Sequence, residues 1–192
     1  MNGAQAVVQM MEAYSIEYIF GVPGDTSLPL YRVLYERRHK IRHVLARDER
    51  SAGFMADAYS RLTHRPGVCE CPSGAGALYS IPGIAEANSS SIPVILLTSG
   101  VSLAGEGKGT ITELDHHKLF EPVTKWSSFL KHTDKIPETL RRAFRIATTG
   151  RQSGGFVRGW LFGNVCRRTG DPGPAKRPGS ADPFQQRYFR LD

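Results

Sequence analysis

The sequence predicts an α/β fold in which a doubly wound, mainly parallel sheet is flanked by helices. Short apolar runs alternate with helical patterns at steady intervals, which is typical of a parallel sheet with helices on both faces. Gly-rich turns close two of the apolar runs, at residues 21–24 and 73–76. Helix-starting residues stand where helices should begin, namely Asp48 with Glu49, and Pro137.

The first half of the chain contains three predicted helices and two predicted strands. Ala6, Val7 and Met10 recur at helical spacing. Acidic side chains at Asp48 and Glu49 suit the first turn of a helix, because they oppose the helix dipole. In chain order the elements are a helix over residues 3–14, a strand over 18–20, a helix over 27–37, a strand over 43–45 and an Ala-rich helix over 48–59.

The second half continues the alternation. Residues 92–98 form the clearest buried strand, because six of the seven positions are apolar or proline before the run ends at Ser99-Gly100. The predicted elements are a strand over 67–71, a helix through 81–85, the strand over 92–98, a Gly-rich loop over 99–110, a strand over 126–130 and a helix over 137–147.

The length of 192 residues suits one ordinary domain, and 40% apolar with 22% charged residues is normal for a globular protein. The net charge of +7 is concentrated late in the chain, where residues 151–192 carry eight Lys or Arg against three Asp. This distribution disfavours nucleic acid as a partner. We therefore expect a folded domain over residues 1–151 and an irregular, poorly ordered Gly/Pro/Arg-rich tail over 152–192.

The cysteines and the apolar runs indicate a reducing, aqueous environment. Cys69, Cys71 and Cys166 give no disulfide framework and no metal-binding spacing. The longest apolar stretch, Ile92–Leu97, is too short to span a bilayer, and no secretory signal is recognisable at the N-terminus. The expected location is the cytoplasm, with no membrane partner.

Two Gly-rich stretches superficially resemble nucleotide-binding motifs. Gly74-Ala75-Gly76 lies between a strand and a helix, but Tyr79 occupies the third glycine position of a dinucleotide fingerprint and no acidic residue ends the next strand. The stretch over residues 105–110 lacks the Ser or Thr that must follow the lysine of a phosphate loop. We interpret the first as a tight turn and the second as a surface loop.

Cysteine and histidine pairs also have structural interpretations. Cys69 and Cys71 alternate along a strand and should face the same core. His116 and His117 are adjacent, so their side chains diverge, and a surface or capping role is favoured for both. No Asp or Glu completes a metal site with them, and we predict no metal ligand in this chain.

Ligands of doubly wound sheets bind outside the carboxyl ends of the strands. The loops over residues 21–27, 46–49, 72–76 and 98–110 should therefore lie on the ligand side. Glu49 is the carboxylate that this edge offers. Taken alone, it would be a helix N-terminal residue that contributes up to about 1 kcal/mol to stability.

Nine stretches in one register over residues 3–151 together resemble the N-terminal, pyrimidine-binding domain of the acetolactate synthase-like thiamine-diphosphate enzymes. The stretches cover residues 3–6, 18–24, 47–53, 56–61, 73–77, 83–87, 91–94, 122–126 and 147–151. They include Tyr18-Ile19-Phe20-Gly21-Val22-Pro23-Gly24, Arg47-Asp48-Glu49 and Pro122-Val123-Thr124-Lys125-Trp126, and each stretch alone is weak, whereas nine in the right order carry the resemblance.

This resemblance implies the thiamine-diphosphate-binding fold and a cofactor site. Glu49 occupies the place of the family's catalytic carboxyl group, which hydrogen-bonds ring nitrogen N1′ of the aminopyrimidine and so favours the imino tautomer that activates thiazolium C2. The loops on either side of the cleft supply the other contacts. The implied cofactor-binding residues are Gly21, Val22, Pro23, Gly24, Glu49, Ser73, Gly74 and Gly76.

The chain departs from the acetolactate synthases at two places. Ile111-Thr112-Glu113 stands where they have Phe-Gln-Glu, and Gly74-Ala75-Gly76-Ala77-Leu78-Tyr79 stands where they have Gly-Pro-Gly-Ala-Thr-Asn. A related decarboxylase or lyase is therefore as consistent with the sequence as acetolactate synthesis. The resemblance ends at Arg151, after which the family continues with Pro-Gly-Pro-Val.

The family binds the diphosphate and magnesium on a separate domain with a Gly-Asp-Gly motif, which this sequence lacks. The expected ligand is therefore the pyrimidine end of thiamine diphosphate, and the expected partner is a second copy of the chain or a subunit with a diphosphate domain. Two alternatives stay open: an α-type subunit of a split enzyme, as in sulfopyruvate decarboxylase, and a truncated, non-catalytic fragment. An unrelated nucleotide-binding domain is disfavoured by the failed fingerprints.

Overall fold

A single parallel sheet organises the chain in the computed structural model, which describes residues 1–149. The order of strands across the sheet is β2-β1-β3-β4. The strands are β1 (Tyr18–Gly21), β2 (Arg42–Leu45), β3 (Gly67–Cys71) and β4 (Val94–Thr98). All three neighbouring pairs are parallel. The chain crosses to β2 on one side of β1 and to β4 on the far side of β3, so a topological switch point lies between β1 and β3.

Six α-helices accompany the strands in the described part of the chain, and side chains cap the starts of the first and the third. The helices are α1 (Gly3–Ala13), α2 (Leu28–Glu36), α3 (Glu49–Thr63), α4 (Ala75–Ser89), α5 (His116–Phe120) and α6 (Ile136–Thr148). Asn2 and Gln5 form a reciprocal capping box on α1, with both bonds at 2.9 Å. The carboxylate of Asp48 accepts a hydrogen bond from the amide of Ser51 at 2.7 Å and so caps α3.

The two faces of the sheet are covered by different helices, which confirms the predicted doubly wound α/β fold. Alternation along each strand sends Ile19, Val68 and Ile95 into a core formed with α1, α2 and α6. Phe20, Cys69 and Leu96 point the other way, into a core formed with α3 and α4. Cys69 and Cys71 are both free, buried members of this second core, as the sequence predicts.

The strand predicted over Trp126–Leu130 is wrong. No strand is present there, and no described strand pairs with this segment. Its apolar side chains are used differently: Leu130 is buried in the core beside α6, and the guanidinium of Arg142 lies 4.8 Å from the centre of the Trp126 ring. The apolar side chains of this segment therefore pack against α6 and do not belong to a strand. The tail over residues 152–192 and its boundary at Arg151 lie outside the described residues.

Candidate functional site

The loops that follow β1 and β3 meet at the switch point, on either side of Pro72. A Cβ atom on Gly24 would lie 2.5 Å from Cβ of Pro72, and one on Gly76 would lie 2.6 Å from Cγ of the same ring. Gly24 is therefore needed for the close approach of the two loops, and Gly76 lets the start of α4 pack on Pro72 within the second one. The predicted ligand-side loops over residues 21–24 and 73–76 are adjacent in space.

Glu49 lies at the same edge of the sheet, as the first residue of α3. Its side chain is half-buried, and a Cβ atom on Gly76 would lie 2.9 Å from its Oε1 atom. Because Asp48 caps the helix, the Glu49 carboxylate is not occupied in capping. It makes no hydrogen bond or ion pair with any residue in the described range 1–149, which leaves it as an available acceptor or proton carrier at the switch point.

Hydrogen bonds among four hydroxyl groups and one backbone amide join the loops at the carboxyl ends of three strands. The amide of Ser73 donates to Oγ1 of Thr26 at 3.1 Å, and Thr26 Oγ1 lies 2.9 Å from Oγ of Ser99. Ser73 Oγ lies 2.7 Å from Oγ1 of Thr112, which also packs against Gly74, where φ is +70°. These contacts fix the turn over residues 73–76 to the loops after β1 and β4.

The remaining predicted cleft residues have different surroundings. Val22 packs against the core below α3 and α4, and Pro23 is half-buried. A Cβ atom on Gly21 would lie 2.6 Å from the hydroxyl oxygen of Tyr31 and 3.2 Å from Oε2 of Glu70. Gly21 therefore makes room for a buried polar pair beneath the loop. The cofactor roles of these residues stay predictions.

Residues 111–113 divide between the cleft and the loop beside it. Ile111 is 91% exposed, whereas Thr112 contacts Ser73 at the cleft. Glu113 accepts hydrogen bonds from the backbone amides of Gly107 and Thr110, the latter at 3.0 Å. These bonds lower the pKa of Glu113, because they stabilise its charged form. Glu113 thus closes the Gly-rich surface loop on itself.

Sequence reasoning missed Glu70, which lies in the middle of the sheet below the site. Its side chain is 1% exposed, and the hydroxyl of Tyr31 donates to its Oε2 atom at 2.5 Å. Burial raises the pKa of Glu70 to about 8. The signal was present in the sequence as a single acidic residue inside the buried strand Gly-Val-Cys-Glu-Cys.

The surface role predicted for His116 is wrong, whereas His117 is exposed as expected. His116 is 4% exposed, its Nδ1 atom lies 3.1 Å from Oγ1 of Thr98, and its ring packs edge-on against Phe120. The short helix α5, which Asp115 caps, turns this side chain inward, and sequence reasoning did not predict that helix. Desolvation lowers the pKa of His116 to about 4, and burial lowers that of His43 likewise to about 4.

These two histidines predict acid-sensitive folding. Between the ordinary histidine value of 6.5 and about 4, the unfolded chain binds a proton at each ring that the folded chain does not. The free energy of unfolding should therefore fall as pH falls, with each histidine contributing about 1.4 kcal/mol per pH unit. His116→Gln should reduce this slope in urea unfolding at pH 4.5–6.5, and His117→Gln should not. Equal slopes in the two variants would contradict the assignment.

No cluster of three or more His, Cys, Asp or Glu side chains able to hold a metal ion occurs within residues 1–149. The same range contains no helix long and apolar enough to cross a membrane. The candidate site is therefore built from one carboxylate, a group of hydroxyls and tightly packed Gly and Pro backbone.

A carboxylate beside Gly-rich turns at the switch point of a doubly wound sheet is the architecture of an α/β ligand-binding domain. Comparison with known proteins gives the particular class. The chain belongs to the family described as thiamine pyrophosphate enzyme, N-terminal TPP binding domain, which matches residues 1–119. The resemblance seen in the sequence is thereby confirmed.

Relatives of the chain include large subunits of acetolactate synthases. It is 42% identical over 151 residues to a probable acetolactate synthase large subunit of Methanocaldococcus jannaschii, covering 79% of this chain and 25% of that protein. It is 37% identical over 150 residues to the acetolactate synthase isozyme 1 large subunit of Escherichia coli K12, covering 78% and 26%. The chain thus spans about a quarter of the length of these relatives.

Proposed function

We propose that this chain binds the aminopyrimidine end of thiamine diphosphate and that Glu49 is the carboxyl group that meets ring nitrogen N1′. The observation that carries the proposal is the half-buried Glu49 side chain, which has no hydrogen-bond or ion-pair partner among residues 1–149 and lies at the switch point. A carboxyl group left without a partner at this position is available to a ligand, because it accepts from a proton donor when ionised and donates to a basic ring nitrogen when protonated.

Glycine and hydroxyl-bearing residues lie in the loops at the Glu49 edge of the sheet. Gly76 lets the start of α4 approach Pro72 and the Glu49 carboxylate closely, and Gly24 lets the first loop close onto Pro72. The hydroxyl groups of Ser73 and Thr112 bond to each other at the rim. Thiamine diphosphate supplies the carbanion chemistry when bound, and the role of Glu49 is to hold and return a proton at N1′.

The reaction class that follows is the decarboxylation and carboligation of 2-keto acids, as the names of the acetolactate synthase relatives suggest. Of the three residues over 111–113, Thr112 is the one that lies at the cleft. In this proposal, the diphosphate and its magnesium are bound by another polypeptide segment or subunit, and the chain acts in an oligomer. The transferase or lyase activity belongs to that complete site.

Calorimetric titration of the 192-residue chain with thiamine diphosphate and magnesium tests the proposal. We expect saturable binding that Glu49→Gln weakens at least about tenfold, which corresponds to about 1.4 kcal/mol, the scale of a hydrogen bond to a charged group. The amide keeps the size of the side chain but cannot carry the proton.

Glu138→Gln is the matched control, because Glu138 is also an acidic residue in the first turn of a helix, on the remote α6. Both substitutions remove a similar interaction with a helix dipole. The proposal predicts that Glu138→Gln binds like the unaltered chain. Absence of binding to the unaltered chain, or equal losses in the two variants, would overturn it.

A further inference from the structure

A cavity of about 330 Å³ lies at strand β2, which is an edge strand of the described sheet. The side chains that line it include Leu34, from the core formed with α1, α2 and α6, and Val44, which packs against the core formed with α3 and α4. Because these cores lie on opposite faces of the sheet, the cavity must wrap around the sheet at β2. Its volume falls within the range of about 300–1,000 Å³ that is typical of small-molecule sites.

The cavity is separate from the candidate cofactor site. Tyr18 and Arg42, which line it, are the first residues of β1 and β2 and so lie at the amino ends of these strands. Glu49 and the loop over residues 21–24 lie at the carboxyl ends of the same sheet. None of the residues predicted to bind the cofactor lines the cavity.

Planar rings form much of the cavity wall. Four of the lining side chains carry such rings, namely Tyr18, Tyr31, Tyr35 and His43. The His43 ring meets the Tyr31 ring edge-on at 4.7 Å between centroids, and desolvation lowers the pKa of His43 to about 4. The Tyr31 hydroxyl donates to Glu70, whose pKa burial raises to about 8. The ring walls therefore carry no charge at neutral pH and offer flat surface for a ligand ring.

Two guanidinium groups border the cavity, and no carboxylate lines it. Arg38 donates a hydrogen bond to the carbonyl oxygen of Tyr35 at 2.9 Å, and its guanidinium carbon lies 4.6 Å from the centre of the Tyr35 ring. These contacts hold the group in place and leave further N–H donors available. Neither Arg38 nor Arg42 forms an ion pair within residues 1–149, whereas the neighbouring Arg37 binds Glu12.

The backbone of β2 adds a donor at this edge. The amides of Arg42 and Ala46 donate towards β1, to the carbonyl oxygens of Glu17 and Gly21 at 2.8 and 3.0 Å. Backbone groups of successive residues point to opposite sides of a strand, so the amide of His43 points away from β1. No described strand pairs with β2 on that side, and the His43 amide has no hydrogen-bond partner within residues 1–149.

We propose that this cavity binds a small aromatic acid, that is, a planar ring that carries a carboxylate or phosphate group. The ring lies among the tyrosine rings, and the acid group meets the guanidinium groups of Arg38 and Arg42 at the edge where the His43 amide is unpaired. Guanidinium groups bind such acids through paired N–H donors. The inference does not depend on the proposed function.

Both parts of the ligand contribute to its affinity. An uncharged ring leaves the two guanidinium groups without an acceptor, and a small aliphatic acid leaves the apolar walls of the cavity in water. An aromatic acid satisfies the charges and buries the walls together. The expected ligand is therefore distinguished from simple anions as well as from neutral aromatic compounds.

Calorimetric titration of the 192-residue chain with 4-hydroxybenzoate and with phenyl phosphate tests the inference. We expect one saturable site, and the tighter of the two probes identifies the acid group. Arg38→Gln and Arg42→Gln should each weaken binding at least about tenfold, the scale of a hydrogen bond to a charged group. Arg32→Gln is the matched control, because Arg32 is also an exposed arginine of α2 and does not line the cavity.

Two further probes separate the parts of the ligand. The neutral compound 4-hydroxybenzyl alcohol keeps the ring, and acetate keeps an acid group, and each should bind at least about tenfold more weakly. In amide NMR spectra the His43 signal should shift on binding, and the signal of Glu138 on the remote α6 should not.

Three results overturn the inference: failure of both aromatic acids to reach saturation, equal losses in Arg38→Gln and Arg32→Gln, or acetate that binds as tightly as the aromatic acids. No thiamine diphosphate is present in these titrations, so their outcome bears on this cavity alone.

Discussion

The free energy of unfolding should fall by about 1.4 kcal/mol per pH unit between pH 6.5 and about 8, and Glu70→Gln should remove that fall. The cause is the difference between the ordinary glutamate pKa of 4.5 and the value of about 8 that burial gives Glu70 in the folded chain. In this window the folded chain keeps the Glu70 proton and the unfolded chain has lost it, so stability decreases as pH rises.

The window begins at 6.5 because the two buried histidines oppose Glu70 below it. His43 and His116 gain stability as pH rises from about 4 to 6.5, and above that value they are neutral in both states. The unaltered chain should therefore be most stable near pH 6.5. Between pH 6.5 and about 8, Glu70 is the group with the largest expected contribution, because the raised pKa values of Cys69, Cys71 and Tyr31 act only at higher pH.

Urea unfolding at fixed pH values from 6 to 9 measures this effect. Glutamine is close in size to glutamic acid and keeps an oxygen for the Tyr31 hydroxyl, so the comparison concerns the slope with pH and is insensitive to small packing changes. Glu86→Gln, an exposed change on α4, should keep the slope of the unaltered chain. A slope that survives Glu70→Gln would show that another group titrates in this range.

Most of the fold follows from local patterns. Short apolar runs ended by Gly, Pro or Ser predict the four strands, and their boundaries agree with the structure to within two residues. The largest offset is at β4, because Pro93 cannot donate to the ladder, and the strand begins at Val94. The strand predicted over residues 126–130 is absent, because an apolar run indicates burial but does not indicate whether a neighbouring strand is available to pair with it.

The candidate site is partly predictable for a topological reason. Parallel strands place all their carboxyl ends at one edge, so the turn over residues 73–76 and Glu49 must approach each other once the sheet is parallel. The burial of Glu70 was signalled by its place inside an apolar strand, but its partner could not be predicted, because Tyr31 is 39 residues distant and only the tertiary fold brings them together. The burial of His116 could not be predicted for the same reason, since it depends on the tertiary contact between α5 and Thr98.

Gly83→Ala is expected to lower the free energy of unfolding by about 2–3 kcal/mol, the scale of overpacking in a tight core. Helices α3 and α4 cross at Gly53 and Gly83, with backbone against backbone. A Cβ atom on Gly83 would lie 2.6 Å from the carbonyl carbon of Gly53 and 2.7 Å from the amide nitrogen of Phe54. Backbone atoms cannot rotate away, so the helices must separate, and α3 carries Glu49 at its first residue.

Gly53→Ala is the matched variant, because it changes the other glycine of the same contact. Its Cβ atom would meet the nearest backbone atom, Cα of Gly83, at 3.1 Å, which is tight but can be relieved by a small shift. Alanine also favours a helix by about 1 kcal/mol over glycine at both positions. This gain in helix stability should offset the cost of crowding in Gly53→Ala. It should be smaller than the cost of crowding in Gly83→Ala. Thermal or urea unfolding of both variants measures the difference, and equal losses would mean that the helices adjust their separation freely.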